Sequence, residues 1–357
     1  MKAIIAAGGS GTRLRPLTFS SNKHLLPLAN KPLLLYPIEA ISETGIKEVG
    51  IIVNETRPAV EALLGSGGKW GLNLTYIEQA EPLGLAHVVL MAQAFLAGEP
   101  FVYHLGDNIF SQGIKEPFKT FEKEQPDALL TLVEHEENWR LGVPYFDEAG
   151  NLMKVVEKPE KPPNKYGVPG LYFFNHHVFE AFTGADKIKP SARGELEITD
   201  LYTYLLDHHY RVLTAKVPGR WLDPGKFTDM LEANTFLLQE KLAATVEGEV
   251  DQASILSGKV AIGKGTRIVN SRIIGPTAIA GDCLIEDAEV GPNVAIDTHC
   301  KLETVTIKNS ILMQDATLID LKRPLVDSMV GKNTEIWEEN QANVSLFIGD
   351  HCRVRLT

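Results

Sequence analysis

The sequence predicts an α/β domain with a Rossmann-like, mostly parallel sheet, followed by a left-handed parallel β-helix. The chain opens on an apolar run at residues 3–7 that ends in glycines, and such a continuous run suits a strand covered on both faces. Strand-like and helix-like segments then alternate, as in a doubly wound sheet. Beyond about residue 260, apolar positions recur six residues apart with a glycine just after them, which is typical of hexapeptide β-helices. We therefore predict domains at residues 1–240 and 252–357, joined by a linker at 241–251.

The composition is that of an acidic globular protein. The chain has 357 residues and a formal net charge of −11, which argues against nucleic acid or an anionic membrane as its main partner. Its three cysteines, Cys283, Cys300 and Cys352, form no C-x-x-C pair, so we expect no disulfide framework. The N-terminus lacks the pattern of a secretory signal, and no apolar run reaches membrane-spanning length. We expect a cytoplasmic protein with no membrane partner.

The loop after the first strand is suited to binding polyphosphate. Glycines after a buried strand let backbone N–H groups approach a ligand closely, and in an open α/β sheet this turn lies at the edge where ligands bind. The loop lacks both the lysine of a Walker motif and the pattern of the dinucleotide fingerprint. Lys23 adds positive charge further along the chain. The predicted phosphate-binding residues are Gly8, Gly9, Ser10, Gly11, Thr12 and Arg13.

The next elements continue the alternation of strands and helices. Apolar spacing predicts helices at residues 32–42 and 57–64 and strands at residues 49–53 and 72–77. Each strand of a parallel sheet delivers the residues that follow it to the same edge. We therefore expect polar residues that follow the predicted strands to gather at this edge.

Gln79 follows the strand predicted at residues 72–77. Its amide has donors and acceptors that suit the edge of a pyrimidine base, and Gly84 would let the loop approach that base closely. The alternative is an ordinary Pro-x-Gly loop that caps a helix, with Pro82 as its proline.

Two aspartates lie in similar surroundings. Asp107 follows the apolar run at residues 101–105, and Asp223 precedes a helical stretch. Either aspartate alone could be a helix cap or a turn residue. Mg²⁺ typically binds one or two carboxylates together with substrate phosphates, so the recurrence of the pattern favours a metal site.

A glutamate and a lysine end the strand predicted at residues 152–156. Lys158 could bind a phosphate as a point charge, and Glu157 could accept hydrogen bonds from sugar hydroxyls. On composition alone, a solvated turn is the simpler interpretation.

Four stretches of the chain resemble the sugar-phosphate nucleotidyltransferase family. They are G-G-S-G-T-R-L-R-P-L-T from residue 8, K-H-L-L-P-L-A-N-K-P from residue 23, V-V-E-K-P from residue 155 and W-L-D-P-G from residue 221. The resemblance covers roughly residues 1–240 and implies nucleotide binding by the glycine loop and by Gln79, Pro82 and Gly84. It also implies that Asp107 and Asp223 hold Mg²⁺. The implied contacts to the sugar phosphate or nucleotide sugar are Asn108, Gly142, Glu157, Lys158, Val168 and Tyr172.

Within this family, the chain most resembles the members that use dTTP and glucose 1-phosphate. It implies attack of a glucose 1-phosphate oxygen on the α-phosphorus of dTTP, with release of pyrophosphate. Because the nucleophile is already an anion, the protein must supply positioning and charge neutralisation. Arg13 would hold the outgoing pyrophosphate, and Lys23 would stabilise the α-phosphate.

Three alternatives stay open at this point. UTP could be the donor, because thymine and uracil differ by one methyl group, which is worth about 1–3 kcal/mol in binding. The chain could be a bifunctional nucleotidyltransferase and acetyltransferase that acts on amino sugars. It could also be a homologue that binds nucleotide without turnover.

The predicted β-helix indicates the fold of this region but says little about its function. Stacked coils bury their apolar faces against each other, and long-form members of the family carry such a tail. An acetyltransferase would need a histidine base, and this region contains only His299 and His351. We expect an assembly role, with a homo-oligomer formed through the β-helix.

Overall fold

The computed structural model describes residues 1–9, 11–19 and 21–338. The chain forms two compact units, one of residues 1–9 and 34–223 and the other of residues 10–33 and 224–357. Ser10 and the last predicted repeat, which includes His351 and Cys352, lie outside the described residues. In the described part of the chain, no helix is long and apolar enough to cross a membrane.

The first unit is built on an eight-stranded sheet, counted within residues 1–9 and 34–223. The strands of this unit are β1 (Lys2–Ala6), β2 (Glu48–Val53), β3 (Asn73–Glu78), β4 (Phe101–Leu105), β5 (Ile109–Phe110), β6 (Ala128–Glu134), β7 (Gly142–Phe146), β8 (Leu152–Glu157), β9 (Tyr166–Gly167), β10 (Leu171–Phe174), β11 (Val212–Lys216) and β12 (Trp221–Leu222). Its α-helices are α1 (Leu35–Ser42), α2 (Arg57–Leu64), α3 (Leu85–Met91), α4 (Gln93–Leu96), α5 (Lys115–Glu124) and α6 (Ile198–Asp207).

The sheet is mixed, with parallel strands at its centre. Its order is β9-β6-β10-β4-β1-β2-β3, and β11 pairs with β6. The strand β1 runs parallel to β2 and β4, and β2 runs parallel to β3. By contrast, β10 is antiparallel to both β4 and β6. This arrangement confirms the α/β prediction and brings the ends of β1, β2, β3 and β4 to one edge.

Helices cover both faces of this sheet, which explains the continuous apolar run of β1. Ala3 and Ile5 belong to one buried cluster, together with residues of α1, α2 and α5. Ile4 points to the opposite cluster, which includes residues of α3 and α6. Because successive side chains of a strand alternate between faces, both sets must be apolar.

The helix predicted at residues 32–42 begins later, at Leu35. The preceding residues Lys31–Pro32 form a short strand that pairs with Pro27–Leu28. Apolar spacing cannot reveal such a hairpin, because a two-residue strand has no periodicity to detect.

The second unit contains that hairpin, helix α7 (Phe227–Lys241) and a solenoid of short parallel strands. In the described residues the solenoid has three sheets. The first holds Thr245–Val246, Val260–Ile262, Thr277–Ile279, Val294–Ile296, Ile311–Leu312 and Met329–Val330. The second holds Glu249–Val250, Arg267–Val269, Leu284–Glu286, Lys301–Glu303, Thr317–Ile319 and Glu335–Trp337. The third holds Ile255–Ser257, Arg272–Ile274, Glu289–Val290, Thr306–Lys308 and Leu325–Val326.

Stacked apolar side chains fill the interior of the solenoid. Ile268, Ile285, Leu302 and Leu318 are buried at equivalent positions of successive coils. The architecture is consistent with the predicted left-handed β-helix, and the irregular stretch at residues 318–329 continues it, since Leu325–Val326 pairs with the coil before it.

The first two strands of the first coil lie within the stretch predicted as a linker at residues 241–251. Thr245–Val246 pairs with Ala261 and Ile262, and Glu249–Val250 pairs with Arg267 and Ile268. A terminal coil has a neighbour on one side only and buries less apolar surface, and Thr245, Val246 and Glu249 are exposed here. The apolar period is therefore weak in this coil, and the exact boundary between the domains stays a prediction.

Candidate active site

The carboxyl edge of the sheet in the first unit holds the start of the glycine loop. Gly8 follows β1, and its carbonyl accepts a hydrogen bond from Asn54 Nδ2 at 2.7 Å. Asn54 itself follows β2, and its Oδ1 accepts hydrogen bonds from the backbone N–H and the hydroxyl of Thr56. The side chain of Asn54 therefore ties the turn after β1 to the neighbouring strand.

The rest of the glycine loop belongs to the second unit and packs against Lys23. Gly11 has a φ of +59°, and a Cβ there would lie 2.9 Å from Lys23 Cβ and 3.0 Å from Thr18 Cγ2. The Thr18 hydroxyl donates to the Gly11 carbonyl at 2.8 Å. Both the backbone conformation and the available space therefore require glycine, and the close approach brings the buried Lys23 to the loop.

Arg13 lies in the short helix Thr12–Leu14 of the same unit. Its guanidinium packs on Gly225, because a Cβ at that glycine would lie 3.1 Å from Arg13 Nη2. The glycine of the W-L-D-P-G motif thus leaves space for the arginine of the glycine loop.

The residues predicted to bind the base follow β3. The Gln79 N–H donates to the Val53 carbonyl at 2.8 Å, which extends the edge of the sheet. Its side-chain Nε2 lies 3.1 Å from His87 Nδ1 on α3. Gly84 has a φ of +105°, and a Cβ there would collide with the backbone of Leu196 at 2.4 Å. Close contact with Leu196 is thus a structural reason for this glycine. Pro82, in the same loop, is exposed.

The two aspartates predicted to bind metal are in the first unit. Asp107 follows β4, and Asp223 follows β12. The strand β12 pairs antiparallel with β5, with Trp221 opposite Phe110 and Leu222 opposite Ile109. Because β5 starts two residues after Asp107 and β12 ends one residue before Asp223, this pairing joins the two aspartate segments.

Asn108 reinforces that junction through its buried side chain. Its Oδ1 accepts hydrogen bonds from Trp221 Nε1 at 2.7 Å and from the Gly170 N–H at 3.2 Å. Its Nδ2 donates to Asp107 Oδ1 at 2.9 Å. The residue predicted to contact the sugar phosphate therefore also orients one aspartate and holds the strand that leads to the other.

Three side chains around the predicted sugar site meet at Gly142. A Cβ at this glycine would lie 2.5 Å from Thr199 Cγ2, 3.4 Å from Glu157 Oε2 and 3.6 Å from Val168 Cβ. Gly142 pairs with Glu157 across β7 and β8, and its carbonyl accepts a hydrogen bond from the Val168 N–H at 2.8 Å. The Thr199 methyl group occupies the place that a side chain at Gly142 would take, so this glycine lets α6 pack closely on β7 beside the Glu157 carboxylate.

Charged side chains surround Glu157. Lys158 Nζ lies 3.3 Å from its carboxylate, and Arg193 Nη2 lies 3.5 Å away. Arg193 also binds both oxygens of Glu197 at 2.8 Å. Burial raises the pKa of the Glu157 carboxyl, and the charge of Glu197 adds to this rise while Lys158 opposes it. Glu195 Oε2 lies 3.6 Å from the same Arg193 Nη2, so two cations and three carboxylates share this part of the first unit.

Tyr172 lies deeper, among the aromatic side chains of the sheet. It is 3% exposed, and its ring centroid is 5.3 Å from that of Tyr103. Burial raises the pKa of both phenols well above their usual range. In the described residues, Tyr103 Oη and Thr199 Oγ1 are buried without a hydrogen-bond partner.

The predicted site residues divide between the two units. The first unit holds Gly8, Gly9, Gln79, Pro82, Gly84, Asp107, Asn108, Gly142, Glu157, Lys158, Val168, Tyr172 and Asp223. The second holds Gly11, Thr12, Arg13 and Lys23, along with Ser10. Four residues that contact these predicted positions were not themselves predicted as site residues: Asn54, Arg193, Thr199 and Trp221. Of these, Asn54 follows a predicted strand, so its position alone could have identified it.

Comparison with known proteins adds a family match. The family model described as nucleotidyl transferase matches residues 2–240. Two proteins named glucose-1-phosphate thymidylyltransferase, from Streptomyces antibioticus and Streptomyces griseus, are each 38% identical to the chain, over 100% of its length and 99% and 100% of theirs. The solved structure of a Bacillus anthracis protein assigned as a glucose-1-phosphate thymidylyltransferase has a TM-score of 0.61 and 33% identity, and covers 66% of this chain and 94% of that chain. The similarity to the Streptomyces proteins thus extends through the solenoid.

Proposed function

The chain belongs to the nucleotidyl transferase family, and from this premise we propose that it transfers a thymidylyl group from dTTP to glucose 1-phosphate. The products are dTDP-glucose and pyrophosphate. The names of the Streptomyces relatives, which match over the full chain, support this choice of substrates. The structural observation that supports the proposal most is the pairing of β5 with β12, which joins the segments of Asp107 and Asp223.

The reaction needs charge neutralisation more than a nucleophilic side chain. Glucose 1-phosphate brings its own anionic oxygen, so catalysis depends on holding two anions in line and stabilising the charge that moves to the leaving group. Arg13 binds the outgoing pyrophosphate. Lys23, held against Gly11, stabilises the charge on the α-phosphate.

The donor set at Asp107 and Asp223 fits Mg²⁺. Two carboxylates are hard oxygen ligands, and the ion commonly takes its remaining ligands from substrate phosphates and water. Asn108 Nδ2 holds Asp107 Oδ1 at 2.9 Å, which orients one carboxylate. When bound, Mg²⁺ would neutralise phosphate charge and align the reacting oxygens.

The residues around Gly142 bind the sugar phosphate in this proposal. Glu157 accepts hydrogen bonds from sugar hydroxyls, and Lys158 pairs with the phosphate. Val168 and the glycine itself form the wall on which the sugar ring packs. Arg193, 3.5 Å from Glu157, adds a second cation for the phosphate.

The first experiment replaces Lys23 by methionine. Lys23→Met keeps the buried stem of the side chain but removes its charge, so we expect kcat to fall about 100-fold, by analogy with the loss of one electrostatic donor in other enzymes. Pyrophosphate release with dTTP, glucose 1-phosphate and Mg²⁺ measures this, and thermal unfolding checks the fold. Lys119→Ala, on the exposed face of α5, is the matched control. Near-native kcat in Lys23→Met would contradict the role given to Lys23.

The same assay tests the choice of substrates. A panel of nucleoside triphosphates and sugar 1-phosphates, run with and without acetyl-CoA, compares kcat/KM for each pair. We expect the highest value for dTTP with glucose 1-phosphate. A higher value with UTP, or acetyl transfer to an amino sugar, would replace the proposed activity with one of the alternatives.

A further inference from the structure

The short hairpin of the second unit ends in a turn formed by Ala29 and Asn30. Both residues have positive φ values, 47° and 60°, as expected for the two-residue turns that connect tight hairpins. The strands Pro27–Leu28 and Lys31–Pro32 flank the turn. Asparagine tolerates this backbone conformation better than most residues, but its side chain here does more than fit the turn.

The side chain of Asn30 binds two successive coils of the solenoid. Its Nδ2 donates to the Ala278 carbonyl at 3.1 Å and to the Ile296 carbonyl at 2.8 Å. These acceptors lie on the neighbouring strands Thr277–Ile279 and Val294–Ile296. One amide group therefore uses both of its N–H bonds to hold the hairpin on the β-helix.

Helix α7 holds the other residue of the same turn. Asn234 on α7 is fully buried, and its Oδ1 accepts the Ala29 N–H at 2.9 Å. A second point of support lies nearer the glycine loop, where a Cβ at Gly331 would lie 3.2 Å from Leu17 Cδ2. The solenoid and α7 thus support residues 11–33 at several points.

The supported segment bears both proposed catalytic cations. Lys23 begins the short helix Lys23–Leu25, and its carbonyl accepts the Leu26 N–H at 3.1 Å. The Leu26 carbonyl accepts the Leu33 N–H at 3.0 Å, which closes the base of the hairpin. Since Gly11 packs on Lys23, contacts continue from the turn at Asn30 to the glycine loop.

We propose that Asn30 is a positioning residue for nucleotidyl transfer and that the β-helix is the rigid support on which it acts. By bonding two coils, Asn30 fixes the hairpin, and the hairpin fixes Lys23 and the Gly11 loop. The solenoid thereby serves the reaction in each subunit, in addition to any role in assembly. This inference rests on the proposed function.

The chemistry of the contact suggests two informative variants. Both acceptors are carbonyl oxygens, so only a donor suits this position. Asn30→Asp keeps the shape of the side chain but turns its carboxylate toward two carbonyls, whereas Asn30→Gly removes the side chain and keeps the freedom to adopt a positive φ. Ala29→Gly is the matched control, because it alters the same turn and leaves both sets of hydrogen bonds in place.

A second control separates positioning from general loss of stability. Thr235 on α7 donates its hydroxyl to Asn309 Oδ1 of the solenoid at 2.9 Å, so Thr235→Val removes a helix–solenoid hydrogen bond outside the hairpin. We expect kcat in Asn30→Gly and Asn30→Asp to fall at least about tenfold, since small displacements of catalytic groups are costly. KM should change less than kcat. We expect Ala29→Gly and Thr235→Val to stay within about twofold of the unmodified protein.

Hydrogen exchange gives a readout that does not depend on activity. In the full chain without substrate, backbone amides of residues 23–26 and 28 should exchange faster in Asn30→Gly than in Ala29→Gly. Unchanged exchange, unchanged kcat in both Asn30 variants, or an equal loss of kcat in Thr235→Val would each overturn the inference. If the unmodified protein transfers no nucleotide to any sugar phosphate, the proposed function fails, and the exchange measurement still decides whether Asn30 fixes this segment.

Discussion

Asn108 shows how one buried amide organises several parts of the candidate site. Its oxygen holds Trp221 and the Gly170 N–H, and its nitrogen holds Asp107. A buried polar group costs stability unless it is hydrogen-bonded, and here the bonding partners are the segments that must be held together. The family resemblance implied that Asn108 contacts the sugar phosphate, but it gave no means of identifying Trp221 and Gly170 as partners of its side chain.

His104 makes the stability of the first unit sensitive to acid. The residue is buried in β4, with its Nδ1 2.7 Å from the Leu105 carbonyl, and burial lowers its pKa to about 4. Between the unfolded pKa of about 6.5 and that value, only the unfolded state takes up the proton. Folding stability therefore falls as the pH falls through this window, by about 2 kcal/mol between pH 7 and pH 5.

The variant His104→Gln tests this prediction because glutamine has an N–H donor and does not titrate. Urea unfolding at pH 7 and pH 5 should show a smaller fall in the free energy of unfolding for His104→Gln than for the unmodified protein. His208→Gln is the control, since hydrogen bonds to the Tyr204 carbonyl and Asp186 raise the pKa of His208. Protonated His208 stabilises the folded state, and this stabilisation is lost as the pH rises. Replacing His208 should therefore not reduce the fall in the free energy of unfolding between pH 7 and pH 5. Equal acid sensitivity in all three proteins would contradict the assignment to His104.

At the scale of elements, the loop between β3 and α3 depends on the close approach of two backbones. The Leu196 N–H donates to the Leu83 carbonyl at 2.8 Å, and the Ala86 N–H donates to the Leu196 carbonyl at 3.0 Å. Gly84 lies between these two hydrogen bonds with no space for a Cβ. The loop predicted to bind the base is therefore fixed to the segment that leads into α6.

Gly84→Ala should displace this loop. Its Cβ would collide with the Leu196 backbone at 2.4 Å, and its φ of +105° is unfavourable for alanine. Gly98→Ala is the matched control, because Gly98 has a φ of +80° and open space around it. We expect Gly98→Ala to lower the free energy of unfolding by about 1–3 kcal/mol through backbone strain alone. Gly84→Ala should lower the free energy of unfolding further and should also raise KM for the nucleotide. If Gly84→Ala and Gly98→Ala changed the free energy of unfolding and KM equally, the close contact with Leu196 would not explain the need for glycine at position 84.

Periodicity predicted the regular elements well and the irregular ones poorly. The helix α2 matches its predicted range of residues 57–64, because the buried face of an amphipathic helix determines the spacing of its apolar residues. The hairpin around Asn30 and the first coil of the solenoid were not predicted. Each contains strands only two residues long, which are too short to show a period. The hairpin strands pair with each other, and these strands of the first coil pair with residues 16 and 18 positions further along the chain.

At the scale of the whole molecule, the solenoid exposes large apolar side chains. Among the described residues, Ile255 is 60% exposed, Val326 48% and Val246 53%. Single exposed apolar side chains are ordinary on protein surfaces, so the expectation of a homo-oligomer rests on the resemblance to long-form family members. We propose that the β-helix carries the contact of a homo-oligomer.

Light scattering of the full chain should give a multiple of the monomer mass of 39.3 kDa. Ile255→Lys should lower that mass by placing a charge in the contact. Met153→Lys, at a side chain of the first unit that is 57% exposed, should leave it unchanged. A monomeric unmodified protein, or equal dissociation by both variants, would contradict assembly through the solenoid.

The sequence alone determined the α/β architecture, the β-helix and the candidate residues of the glycine loop and strand ends. These properties follow from local patterns, since alternation, apolar period and short motifs are each contained in a few neighbouring residues. Only the tertiary structure decided that the loop divides between two compact units after Gly9, that Asn30 bonds two coils of the solenoid, and that Asn108 bonds Asp107 and Trp221. The physical reason is that a hydrogen bond between residues far apart in the chain forms through folding. Such a hydrogen bond produces no periodic pattern in the amino-acid sequence.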